Sequence, residues 1–249
     1  MPRSSVRDDI PLARRSRHPR SKGSWFGRFL RTLAVASAAA AAVVLLLLGP
    51  LRFWLQPPPV PGLDARLGAD GRLLGHFPYP EAPVSELVPV EADRLLRQDA
   101  AANFQAMRQA ALADGVSLGL LSAFRSVALQ RQLFFEVGAA RNQTAETRAK
   151  VSAPPGFSEH GTGYAVDLGD LSAPDTDLST RFEETRAFRW LKQNAARYHF
   201  RLSFPRDNVQ GVAYEPWHWR YEGSTKALEL FEPASRLARG AKGASRAGS

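Results

Sequence analysis

Apolar positions along the chain fall into three regimes. The first is the stretch "TLAVASAAAAAVVLLLLGPL", twenty residues without a charge, the length an α-helix needs to cross a hydrocarbon core. It predicts one transmembrane helix over 32–51. A cleavable signal peptide is the rival reading. Small-x-small triplets such as Ala34-Val35-Ala36 precede the leucine run instead of following it, which favours an uncleaved anchor. "QPPPVPG" follows. It cannot continue a helix, so it predicts an extended spacer within a linker over 52–62.

The second regime, 63–233, mixes helical and alternating periods and predicts one folded domain. Asp70-Gly71 is a turn signal between short apolar runs and predicts a small hairpin ending near Phe77, before a loop with Pro78, Pro80 and Pro83. From about Glu91 to Ala113 the period is helical, with Phe104, Met107 and Ala111 on one face and Gly115 past the end. "VSLGLLSAF" reads as a strand. Ser126 caps a helix through Gln130 and Phe134, which leaves Arg125 at the junction. "GYAVDL" is a short strand. Thr180 and Glu183 form a capping-box pattern ahead of a helix to about Tyr198, and "FRLSF" and "GVAYEPWHWRY" are the last strands. The third regime, 234–249, holds Ala, Gly, Ser and Arg that bury little, and predicts a disordered basic tail.

Charge refines this division. The chain carries +9 overall, but residues 1–31 hold nine Arg or Lys against two Asp, and 234–249 add four bases without an acid. The positive-inside rule then makes 1–31 a basic cytoplasmic tail and places everything after Leu51 outside the cytoplasm. The remaining 53–233 hold 19 bases and 22 acids. No basic patch with interleaved aromatics is left there, which argues against a nucleic-acid partner.

The chain contains no cysteine, so disulfides and thiolate metal sites are excluded. A metal site must draw on His, Asp or Glu. His160 and Asp167 in "SEHGTGYAVDLGD", together with His218, would make a three-ligand set of the kind hydrolytic zinc sites use. A His and an Asp seven apart occur by chance in many proteins, but Asp167 lies between Val166 and Leu168 and needs a partner in that apolar strand. In "YEPWHWRY", Glu215 and His218 are three apart, an odd spacing that separates side chains in a regular strand. A bend at Pro216 would bring them together and make Glu215 a general base. The alternative is an aromatic strand whose Glu215 pairs with Arg220. Arg125 suits bidentate recognition of a carboxylate, or else forms a surface ion pair. His76 and His199 have no carboxylate at ligand spacing and read as structural.

In this order, "SAFRSVALQ", "SEHGTGYAVDLGD" and "YEPWHWRYEG" resemble the VanY-type D-alanyl-D-alanine carboxypeptidases, a family of zinc peptidases. The resemblance spans about Val90 to Gly223. It implies an α+β fold in which a small antiparallel sheet with flanking helices carries a Zn2+ site. It implies zinc ligands at His160, Asp167 and His218, Glu215 as catalytic base, Arg125 at substrate and oxyanion, and Gln130 and Ser158 at the substrate pocket. The implied substrates are peptidoglycan stem peptides that lose a C-terminal D-alanine. "SAFRS" and "YHFRLSFP" depart from the family's usual forms without removing a ligand or the base. A peptide-binding module without turnover and a wall-lytic endopeptidase are the other readings, and retention of Glu215 favours the enzyme.

Overall fold

The computed structural model describes residues 62–91 and 93–247, with the backbone alone for 242–247. The predicted tail over 1–31, the anchor over 32–51 and all of the 52–62 linker but its last residue lie outside the described residues. Among the described residues no helix is long and apolar enough to cross a membrane.

An antiparallel hairpin opens the regular structure, β1 (Leu87–Glu91) with β2 (Arg94–Arg97). It leads into α1 (Gln98–Ala113), β3 (Leu118–Ser122), α2 (Val127–Ala140) and the short α3 (Ala145–Ala149). After a 3-10 turn (Glu159–Thr162) come β4 (Ala165–Asp170), α4 (Arg186–Asn194), β5 (Phe200–Leu202), β6 (His218–Tyr221) and α5 (Thr225–Ala247). The four later strands form one antiparallel sheet in the order β3-β4-β6-β5. This is the α+β arrangement that the resemblance implies.

Alternation along the central strands divides the sheet's two faces. Val166 and Leu168 of β4, with Trp219 and Tyr221 of β6, enter the main core beside Phe104 and Met107 of α1, Leu191 of α4 and Phe231 of α5. Asp167, His218 and Arg220 therefore project to the opposite face. Asp167 pairs directly with His218, and Ala165 with Arg220. The apolar period that builds the core thus also sets the polar side chains in a row. Phe104 is fully buried at the centre, so Phe104→Ala is expected to cost about 3–5 kcal/mol in urea unfolding.

Several expected elements differ. The helix from Glu91 starts only at Gln98, because Leu95 and Leu96 are taken up in β2. The Asp70-Gly71 turn forms, but Leu74 and Gly75 both take positive φ and reverse the chain at once, leaving a single bridge, Leu73–His76, in place of a hairpin. Thr185, not Thr180, caps α4, its hydroxyl accepting from Phe188 N at 3.2 Å, while Thr180–Glu184 is a 3-10 turn. The tail expected to be disordered after Pro233 continues α5: alanine and arginine are strong helix formers, and Ala234 and Ser235 are buried. The cap at Ser126 is as expected, its hydroxyl accepting from Leu129 N at 3.1 Å.

Candidate active site

Three segments supply the site. The 3-10 turn Glu159–Thr162 ends on Gly163 at φ 72°, where an added Cβ would stand 2.8 Å from Leu87 Cδ2. This left-handed residue turns the chain from the 3-10 segment into β4 and sets His160 ahead of Asp167. His160 Nδ1 donates to Ala123 O at 2.7 Å, just past the end of β3. That bond fixes the tautomer and leaves Nε2 as the lone-pair nitrogen. His160 Nε2 lies 3.2 Å from Asp167 Oδ2 and is buried without a hydrogen-bond partner. Asp167 Oδ1 in turn lies 3.1 Å from His218 Nδ1. Ligand atoms of the three residues fall within 4.8 Å of one another, all buried.

Glu215 reaches this group from a turn, not from a strand. His218 N donates to Glu215 O at 3.2 Å, and Glu215 N donates to Phe204 O at 3.1 Å. Pro216 and Trp217 occupy the bend, and β6 starts only at His218. The odd spacing therefore does not separate the two side chains. Glu215 Oε2 stands 3.8 Å from His218 Nδ1. The alternative pairing of Glu215 with Arg220 does not form, since Arg220 binds Glu159, Glu222 and Ser235.

Electrostatics separate the roles. Burial, with Arg125 nearby, lowers His160 to about 4 and keeps its imidazole neutral. Burial works against charge at Asp167, but His160 and His218 outweigh it and hold the carboxyl well below its usual range. Burial likewise opposes charge on His218, yet Asp167 and Glu159 on its two nitrogens raise it to about 10. Burial raises Glu215 to about 7, with His218 pulling the other way and Asp167 adding to the rise. An imidazolium held between two carboxylates and a neutral imidazole with an orphaned nitrogen mark a site built for a cation. A metal at Nδ1 would take over from the proton there. The His, Asp and His donors suit zinc, and a metal held there would satisfy the orphaned Nε2 of His160.

Glu159 is the participant that the sequence reading missed. Its Oε2 accepts from His218 Nε2 at 3.0 Å and from Ser203 Oγ at 2.5 Å, while Oε1 accepts from Arg220 Nη1 at 2.9 Å. Burial opposes its charge, but Arg220 and His218 hold the carboxyl down to about 2. A carboxylate on the far nitrogen selects Nδ1 as the ligand atom of His218 and makes it a stronger donor. Glu159→Gln is expected to weaken metal affinity by about 10–100-fold, measured by competition with a chelator. The available signal was a charged residue inside a tight glycine-bearing turn.

The ligand group opens on a pocket of about 510 Å³ lined by Arg125, Ser158, Glu215 and Trp217 among others. Arg125 Nε is buried and unpartnered, and among the described residues no carboxylate forms an ion pair with Arg125. Gln130 is buried behind the wall: its Nε2 donates to Ala153 O at 2.6 Å and to Ser152 Oγ at 3.2 Å, and those two residues line the pocket in its place. His76 is also at the pocket, its ring nitrogen 2.7 Å from Ala149 O. His199 is not; it sits at φ 61° with its ring edge-on to Tyr221.

A family model described as VanY, D-alanyl-D-alanine carboxypeptidase, matches residues 93–224. The chain is 34% identical over 136 residues to the D-alanyl-D-alanine carboxypeptidase of Enterococcus faecalis (strain ATCC 700802 / V583), covering 51% of this chain and 48% of that protein. It is 30% identical over 137 residues to the enzyme of the same name from Enterococcus faecium, covering 54% and 40%. The match thus spans under half the length of these two relatives. Among solved structures, the LdcB LD-carboxypeptidase superposes with a TM-score of 0.54 at 27% identity over 66% of this chain and 80% of that one. A vancomycin-resistance D,D-pentapeptidase VanY in complex with Zn(II) gives 0.50 at 28% identity over 63% and 89%. With the motifs, the fold and the ligand geometry in agreement with a match over more than half its length, the chain belongs to the VanY family of D-alanyl-D-alanine carboxypeptidases.

Proposed function

We propose that this chain is a zinc-dependent carboxypeptidase that removes the C-terminal D-alanine of peptidoglycan stem peptides. The observation that carries the reading is the convergence of His160, Asp167 and His218 with Glu215 3.8 Å from the last of them, in one pocket. The name of the relatives and the D-Ala-D-Ala complex of VanYB support this substrate class.

His160 Nε2, Asp167 and His218 Nδ1 would hold the zinc. When bound, it supplies Lewis acidity, polarising a carbonyl and acidifying a water. Glu215 takes the proton of the attacking water and later delivers it to the leaving amine. Burial suits it to both roles, because a carboxyl raised towards neutrality accepts and releases a proton near pH 7. Arg125 places its charge beside the reacting carbonyl, where negative charge develops. Ser158, 7% exposed at the pocket wall, contacts the terminal residue. The uncharged run over 32–51, with arginines on its N-terminal side, supports a membrane-anchored chain acting on the extracytoplasmic side, where these peptides are found.

The test is mass spectrometry of defined tri-, tetra- and pentapeptide muropeptides incubated with the detergent-solubilised full chain, with and without a chelator. Release of D-alanine that stops with the chelator is the expected result, and the peptide consumed distinguishes a D,D from an L,D bond. Intact peptides beside one bound zinc per chain would make this a binding module. Internal cleavage would make it an endopeptidase.

A further inference from the structure

The pocket holds more positive charge than the proposed chemistry uses. Besides Arg125 it is lined by Arg148, on α3, and by Arg141, just past the end of α2. Among the described residues none of the three has an ion-pair partner within 4 Å. The surroundings of Arg125 and Arg148 differ. Arg125 feels the carboxylates of Asp167 and Glu215, which offset part of its burial. Beyond burial, the charges that act on Arg148 are those of Arg141 and Arg125, which repel it.

Arg148 is nevertheless held firmly. It is 8% exposed, its Nη2 donates to Leu133 O at 3.0 Å, and its Nε is buried with no partner at all. Its aliphatic stem packs beside Gly138, where an added Cβ would stand 3.7 Å from Arg148 Cγ. The neighbouring backbone is clamped as well: Ala149 O is bound by His76, and Lys150 O accepts from Ala213 N at 2.8 Å. A buried guanidinium with unused donors and repelling neighbours is costly unless an anion arrives. Every substrate of a carboxypeptidase brings one.

We propose that Arg148, positioned by Leu133 O and backed by Arg141, is the residue that binds the substrate's terminal carboxylate, leaving Arg125 to the reacting carbonyl. This rests on the carboxypeptidase reading given above. It assigns a purpose to His76, whose bond to Ala149 O steadies the end of the helix that carries Arg148.

The experiment compares a D-Ala-D-Ala-terminated stem pentapeptide with its C-terminal amide. Binding is first measured by calorimetry to the zinc-loaded full chain carrying Glu215→Gln, so that turnover plays no part. The acid is expected to bind at least tenfold tighter than the amide. Adding Arg148→Gln should erase that preference while leaving amide affinity and zinc content unchanged, and Arg148→Lys should restore part of it. In the active enzyme, Arg148→Gln should raise KM for the acid roughly tenfold or more with kcat changed far less. If Arg148→Gln fails to fold, the exposed Arg141→Gln should still narrow the acid preference by a few fold. An Arg148→Gln protein that keeps the full preference, or weakens acid and amide alike, overturns the assignment. Acid-selective binding lost in Arg148→Gln, without turnover by the wild-type chain, would support the subsite and sink only the catalytic reading.

Discussion

Glu215→Gln is expected to lower the rate of D-alanine release by two to four orders of magnitude while zinc remains bound at one per chain. The amide keeps the size of the carboxyl but cannot accept a proton, so the variant isolates proton transfer, whose usual contribution is about 10²–10⁴. Geometry makes the test clean. Glu215 is held by backbone bonds to Phe204 and His218, which the substitution leaves in place, and its side chain is not among the three ligands. Burial raises the wild-type carboxyl to about 7 in the metal-free site, so a neutral amide costs that site little. Rates come from product release, metal content from elemental analysis. Equal activity in the variant, or loss of zinc with loss of rate, would remove Glu215 from the role of base.

His160→Ala is expected to have the second large effect, abolishing stoichiometric zinc and activity together. His160 supplies a neutral nitrogen that has no other partner, and the two remaining ligands cannot complete a three-donor site. Thermal unfolding gives an independent readout. Ligand that binds only the folded state adds about 4 kcal/mol at a thousandfold excess over Kd. Zinc should therefore raise the Tm of the wild-type chain by several degrees and leave that of the variant unmoved. A variant that keeps one tight zinc would show that His160 is not a ligand.

The ligands were legible because burying an ionisable group leaves a mark in local sequence. Asp167 between Val166 and Leu168, and His218 between Trp217 and Trp219, are ionisable residues flanked on both sides by apolar ones. Glu215 was legible as a candidate but its geometry was not. A strand period predicts opposite faces, and the turn at Pro216 becomes apparent only once β6 is seen to begin at His218. Glu159 escaped because its partners Ser203, His218 and Arg220 lie 44 to 61 residues away, beyond any local spacing. Gln130 shows the opposite error. Its position on α2 was found, but helical phase alone did not reveal that it turns to Ala153 behind the wall.

The same limits apply to the fold. The spacing of Phe104, Met107 and Ala111 located the core face of α1 because 3.6 periodicity is a local property. The β1–β2 hairpin was hidden because Leu95 and Leu96 extend that period backwards by accident. The last turns of α5 were hidden because alanine packs closely while offering little hydrophobic signal. Ala234 is 4% exposed, and Ser235 Oγ accepts from Arg220 Nη2 at 3.1 Å. A piece ending at 233 would remove both.

The pairing of Asp167 with His218 across β4 and β6 has a consequence for the order of assembly. His160 and Asp167 are neighbours in the chain and can meet early, whereas His218 arrives only when the sheet closes over an intervening loop of about fifty residues. Tight zinc capture during refolding would therefore mark the moment at which β6 docks, and a rapidly mixed chromophoric chelator would time it. A slip of one residue in that register would turn His218 towards Phe104 and Leu168 and present Trp219 to the ion.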